Sequence, residues 1–159
     1  MDVCRRETLV FPHDVLFPEI VRLLDDGHAV TLRTKGNSMF PLLVGGRDCV
    51  VLRKPAEVRR GDIVLVHLSS GAYLLHRVYR CERNVFRLMG DANLCATETC
   101  SFDEICGVVT EIIRRNRRIA CNSPAERYRV WLWMQLRPVR WYLLAVCRWK
   151  ARLHGYHRI

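Results

Sequence analysis

Three side chains in the first hundred residues could together break an amide bond: Ser38 in Gly36-Asn37-Ser38-Met39-Phe40-Pro41, His76 in Leu75-His76-Arg77-Val78, and Asp91 in Met89-Gly90-Asp91-Ala92-Asn93. A serine hydroxyl is a weak nucleophile near neutral pH. It needs a base at hydrogen-bond distance and donors for the charge that develops on the attacked carbonyl oxygen. Histidine suits the base, because its unperturbed pKa of about 6.5 lies near working pH. A carboxylate on the far imidazole nitrogen would hold the tautomer and stabilise the imidazolium. Taken singly, each residue has a blander reading: a turn serine, a packed strand histidine, a Gly-Asp turn. Their order, with strand-like runs between them, favours one hydrolytic site.

Those runs must position the three groups. Residues 1–13 show no periodicity and read as an irregular start. From Asp14, the apolar residues Val15, Leu16, Ile20, Val21, Leu23 and Leu24 recur at helical spacing, with Pro18 at a helix-start position and Gly27 after the end. Ala29 to Thr34 reads as a strand that stops at Lys35-Gly36-Asn37, so Ser38 stands at a tight corner on a presented loop, and Pro41 keeps Phe40 extended. Gly45-Gly46-Arg47-Asp48 is a turn before the β-rich run Cys49 to Leu52. After Arg60-Gly61-Asp62 comes Ile63 to Leu68, apolar enough for burial on both faces.

In the next strand Leu74, His76 and Val78 share one face, and Tyr73, Leu75, Arg77 and Tyr79 the other. Val85 to Met89 reads as its hairpin partner, and Ile105 to Ile113 as a later strand with a bulge or bend at Gly107. The pattern predicts a mostly-β, coiled domain over residues 29–119, preceded by a segment and short helix in 1–28 and followed by a helical tail over 123–154.

The boxes Gly36-x-Ser38-Met39-x-Pro41, Arg60-Gly61-Asp62-Ile63-Val64, His76-Arg77-Val78, Gly90-Asp91-x-Asn93 and Gly107-Val108-Val109 resemble, in order, those of the type I signal peptidase and repressor-autopeptidase group of serine peptidases. The likeness covers about residues 22–113. It implies a coiled β-sheet catalytic domain in which Ser38 is the nucleophile and the residue at 76 removes its proton. That base is lysine in the bacterial signal peptidases and self-cleaving repressors. His76 is similar instead to the histidine-base branch, where no large pKa depression is needed. The resemblance implies Asp91 as first choice for orienting His76, with Glu98 and Asp103 as alternatives. It also implies an oxyanion hole built on the Ser38 N–H, without the hydroxyl that often stands where Gly36 is.

Half of the 159 residues are apolar, enough for a core, and the net charge is +10. Arginines crowd positions 114–118 and the last third, which predicts an anionic partner. The eight cysteines show no CxxC spacing and are expected as reduced thiols, with no metal and no cofactor.

In the tail, Ser123-Pro124 signals a helix start. Trp131, Trp133, Trp141 and Trp149 are interleaved with arginines, and Pro138 should kink or divide the helix. Arg129, Arg137, Arg140 and Arg148 project to one side. Trp131, Leu132, Val139, Tyr142, Leu143, Val146 and Trp149 project to the other, with Trp133 and Leu144 misplaced on the basic side. Uncharged runs of seven residues are too short to span a bilayer, so residues 128–153 suit an anionic membrane surface, self-association or packing on the β-domain. Nucleic acid is disfavoured, because no recognition signature accompanies the basic residues.

The sequence thus predicts a serine endopeptidase that cleaves an extended leader or precursor peptide, cytoplasmic and peripheral at the membrane, with small residues before the cut as the resemblance implies. The alternative is a noncatalytic peptide-binding or membrane-docking module on the same fold. A self-cleaving regulator is weakened by the missing lysine and the missing DNA-binding helix pair.

Overall fold

The computed structural model describes residues 13–93, 95 and 97–153. A curled antiparallel sheet contains eight strands: β1 Val30–Arg33, β2 Asp48–Arg53, β3 Ile63–His67, β4 Tyr73–Glu82, β5 Val85–Met89, β6 Glu98–Ser101, β7 Ile105–Arg114 and β8 Arg117–Ala120. They run in the order β1-β2-β7-β3-β4-β5-β6, with β8 paired to β7. Helix α1, His13–Asp25, precedes the sheet, and α2, Pro124–Gln135, and α3, Arg140–Leu153, follow it. The fold is the mostly-β class expected from the sequence, with one helix before the sheet and helices after it.

Strand alternation divides the apolar residues between two layers. Ile63 and Leu65 of β3 face Ile20, Leu24, Val50 and Leu52, while Val64 and Val66 face Val78, Phe86 and Leu88 on the other side. β3 is therefore buried on both faces, as its unbroken apolar run predicts. Gly107 has two roles. The β3–β7 register slips beside it, and a Cβ there would come within 2.9 Å of Leu24 Cδ1, so the missing side chain lets α1 lie against the sheet.

Three local expectations change. Pro18 lies inside α1, because the helix begins at His13, more than a turn earlier. β6 has no counterpart in the sequence pattern, since Glu98-Thr99-Cys100-Ser101 has no apolar alternation and forms a strand by pairing with β5. β8 lies within the arginine cluster. Arg115 and Asn116 take φ of 47° and 62°, the double left-handed turn whose twist suits a two-residue hairpin. The expectation of reduced thiols is met at Cys81, Cys95, Cys100, Cys106, Cys121 and Cys147. It fails at Cys49, which is disulfide-bonded; close spacing in sequence tests only for pairs of near neighbours.

The tail packs on the sheet domain. Ser123 Oγ accepts the Glu126 N–H at 3.4 Å, Pro124 occupies the first turn of α2, and a 3-10 turn over Arg137–Val139, containing Pro138, separates α2 from α3. Three residues read on the basic side, Trp133, Arg140 and Leu144, are buried, while Arg137 and Arg148 of that side stay exposed. Trp133 and Leu144 join Phe40, Leu42 and Val44 in one apolar cluster. Arg140, only 2% exposed, stacks on the Trp133 ring with its Cζ 5.2 Å from the centroid. Burial pulls the Arg140 pKa below the ordinary arginine value. The side read as apolar, with Trp131, Tyr142 and Trp149, is exposed. The helical projection records only polarity, whereas the sheet's own apolar shelf selects the face that supplies Trp133 and Leu144.

Candidate active site

Ser38 sits on a loop closed at its neck by glycine. Gly36 has φ +77°, in the region that favours glycine. Across the neck, a Cβ on Gly45 would stand 2.1 Å from Gly36 O, so the two backbones cross with no room for a side chain. Gly46 N–H donates to Thr34 O at 2.8 Å and closes the ring. Within the loop, Met39 enters the α1-side core, and Phe40 and Leu42 enter the cluster shared with the tail. The peptide bond before Pro41 is cis. Anchored on both sides, the loop leaves Ser38 exposed.

Asp48 holds the outgoing arm of this loop, a role its sequence setting as a turn residue did not reveal. Its buried carboxylate accepts the Val44 N–H at 2.9 Å and charged bonds from Arg47 and Arg114, and Arg114 Nη2 also donates to Leu42 O at 2.7 Å. Burial pushes the Asp48 carboxyl pKa up, but the Arg47, Arg114 and Val44 bonds outweigh it and hold the group below its ordinary value.

The Ser38 backbone rests on the segment that follows β5. β4 pairs Arg77 with Met89 of β5, so one residue further along that antiparallel ladder Gly90 falls opposite His76. Ser38 O accepts the Ala92 N–H at 2.8 Å, and a Cβ on Gly90 would lie 2.5 Å from Ser38 O. Gly90 is the seat on which the serine backbone rests beside the histidine strand. Gly90→Ala is expected to displace the Ser38 backbone. It should reduce any Ser38-dependent turnover by about 10²-fold, the scale of an ångström of misplacement, with a melting temperature that falls far less than activity.

The same register decides which carboxylate meets the imidazole. Val78 of β4 lies opposite Leu88 of β5, which lies opposite Glu98 of β6. These three share a face, and His76, two residues from Val78, shares it too. Accordingly Glu98 Oε2 stands 3.0 Å from His76 Nδ1, with His76 buried and Glu98 partly exposed.

Asp91 belongs to the opposite parity, that of Arg77 and Met89. Its Oδ1 and Oδ2 accept from Arg77 Nε at 2.8 Å and Nη2 at 2.6 Å, while Arg77 Nη1 donates to Gly61 O at 2.8 Å. Both partners are buried. Burial works against the Arg77 charge, but the Asp91 carboxylate outweighs it and raises the arginine pKa. The first-choice orienter is therefore engaged elsewhere, and the carboxylate on His76 is Glu98, one of the two alternatives. Asp103 lies in the turn Phe102–Glu104 and makes no hydrogen bond to His76.

Among the described residues the Ser38 hydroxyl forms no hydrogen bond, to His76 included, and the Ser38 N–H donates none. Gly36 offers no hydroxyl to this corner. The N–H is thus free to receive a negative oxygen, and the hydroxyl is free to turn.

The Gly61-Asp62 box serves as the tail's docking point. Asp62 Oδ1 accepts from Arg127 Nη1 of α2 at 2.7 Å, and a Cβ on Gly61 would come within 3.2 Å of Val130 Cγ1. The small cavity at this junction is lined by Leu42, Asp62, Arg77 and Arg129.

The curled antiparallel sheet, with the sequence boxes carried on it in order, is the serine-peptidase-like class to which those boxes pointed. The chain belongs to the Peptidase S24-like family, whose match covers residues 6–110. The match ends inside β7, so β8 and both tail helices lie beyond it. No curated protein matches the chain significantly.

Proposed function

We propose that the protein is a serine endopeptidase in which Ser38 is the nucleophile, His76 the general base and Glu98 the residue that orients the base. The observation that carries this reading is the Glu98–His76 contact on Nδ1. With Nδ1 holding its proton toward the carboxylate, the other ring nitrogen, Nε2, is left as the basic site. As Ser38 Oγ attacks the scissile carbonyl carbon, its proton passes to Nε2 and the carbonyl oxygen takes the negative charge against the Ser38 N–H. Collapse breaks the C–N bond and returns the proton to the leaving amine. Water, deprotonated by the same nitrogen, then releases the acyl fragment and restores Ser38.

Strand geometry supports an extended peptide as the substrate. Among the described residues β1 pairs only with β2, and it runs directly into the serine loop. An extended peptide added to its open edge would gain backbone hydrogen bonds and carry its scissile bond past Ser38. The family likeness favours small residues before the cut, as in a leader or precursor segment.

Glu98→Gln tests the orienter. It keeps the shape and hydrogen bond but removes the charge, and kcat is expected to fall by about 10²- to 10⁴-fold with KM little changed. A Glu98→Gln protein with wild-type kcat and an unaltered pH–rate profile would remove Glu98 from the mechanism.

The second reading, a peptide-binding module without turnover, is favoured by one observation: the Ser38 hydroxyl makes no bond to His76 in this state. The family includes noncatalytic members. A module would bind extended peptides with equal affinity as wild type and as Ser38→Ala, and neither would cleave them.

A further inference from the structure

Each tail helix buries one face and leaves another bare. On α2, Tyr128, Trp131 and Leu132 follow the helical repeat along one exposed stripe. On α3, Tyr142 and Trp149 share the side away from buried Arg140 and Leu144, and Trp141 is exposed on the flank beside them. Exposure along these stripes runs from 41% at Leu132 to 63% at Trp141. Among the described residues, every exposed large apolar side chain except Val85 falls between Tyr128 and Trp149. Tyr128 and Trp131 stack at 5.8 Å, and Trp141 and Tyr142 meet edge to face at 6.0 Å, so the rings form pairs on the surface.

Two properties of this surface select its occupant. Its rings are tryptophan and tyrosine, whose apolar bodies and polar tips suit the boundary between headgroups and acyl chains. Its surroundings are strongly basic: from Arg114 to the end the chain has twelve arginines and lysines against one acidic residue, Glu126. Exposed Arg148 stands next to Trp149. A second copy of the chain would bring the same positive charge to the contact and be repelled, whereas an anionic surface is attracted. No helix among the described residues is long and apolar enough to cross a membrane.

We infer that the exposed aromatic stripe of α2 and α3 docks the protein, with these helices lying flat, on an anionic lipid bilayer. The rings enter the headgroup boundary and the surrounding arginines meet lipid phosphates. The inner face of the same helices holds Phe40 and Leu42 of the serine loop. Docking would therefore hold Ser38 within about one or two helix diameters, of ~10 Å each, of the headgroups. The inference is independent of whether Ser38 acts as a nucleophile.

The test is co-sedimentation of the full chain with vesicles of phosphatidylcholine alone and of phosphatidylcholine with equimolar phosphatidylglycerol, at low and high salt. Binding to the anionic vesicles is expected to be at least about tenfold tighter than to the neutral ones and to weaken with salt. Tryptophan emission should shift to the blue and be quenched by brominated lipid. A Trp141→Ser/Trp149→Ser double variant, altered only at exposed positions, should bind about tenfold or more weakly while melting as wild type does. Failure to bind anionic vesicles, or binding unchanged in the double variant, would overturn the inference. So would a stable dimer in sedimentation velocity that the double variant dissociates, or tighter binding to a single-stranded oligonucleotide than to the vesicles.

Discussion

Ser38→Ala is expected to abolish peptide cleavage, lowering turnover by about 10⁴- to 10⁶-fold, while leaving the melting temperature where it is. The second half of that expectation comes from the structure. Ser38 is exposed and its hydroxyl bonds to nothing among the described residues, so its removal breaks no stabilising contact. Met39, Phe40 and Leu42 keep the loop anchored. His76→Gln should bring a comparable loss, and the double variant should be no worse than either single one, because nucleophile and base act as one unit.

The measurement is incubation of wild type and variants with a mixed peptide library, followed by mass analysis of new termini. Products that persist at the wild-type rate in Ser38→Ala would end the peptidase reading. Wild-type protein that binds peptides and leaves them intact would establish the module reading instead.

Asp91→Ala is expected to act on stability. Asp91 accepts from the Nε–Nη2 edge of a buried guanidinium whose Nη1 holds Gly61 O. Removing the carboxylate strands the Arg77 charge where water cannot reach it, a change that destabilises by about 3–5 kcal/mol. In a chain of this size the melting temperature should fall by roughly 10 °C. Replacing both partners together with apolar residues, Arg77→Met/Asp91→Leu, should recover much of the loss, since the isolated buried charge is then gone.

A catalytic Asp91 would behave otherwise: the alanine variant would melt normally and turn over slowly, and the double replacement would rescue nothing. Thermal unfolding and single-turnover kinetics on the same preparations separate the two. Beside them, Glu98→Gln should show the opposite pattern, with stability kept and turnover lost.

The contrast between these two carboxylates shows how far a linear reading reaches. The family resemblance implied Asp91 as the orienter through its Gly90-Asp91-x-Asn93 box, and alternation correctly put His76 and Arg77 on opposite faces of β4. The missing quantity was the register between β4 and β5. Once Arg77 is known to face Met89, Asp91 falls on the arginine side and Glu98, carried by a strand with no apolar pattern, falls on the histidine side. A shift of one residue would exchange those partners, and nothing local in Met89-Gly90-Asp91 specifies it.

Sequence by itself determined the mostly-β class, the early helix, the glycine corner that presents Ser38, the face of β4 that carries His76 and the capped start of α2. Each of these depends on neighbours along the chain: side-chain periodicity, glycine at a left-handed turn, a serine before a proline. Only the tertiary structure decided that Glu98 stands on His76, that Asp91 belongs to a buried ion pair, and that the tail buries Trp133 and Arg140 while leaving Trp131, Trp141 and Trp149 bare. Those outcomes depend on which surfaces meet across the fold, and contact energies between remote segments leave no mark on local spacing.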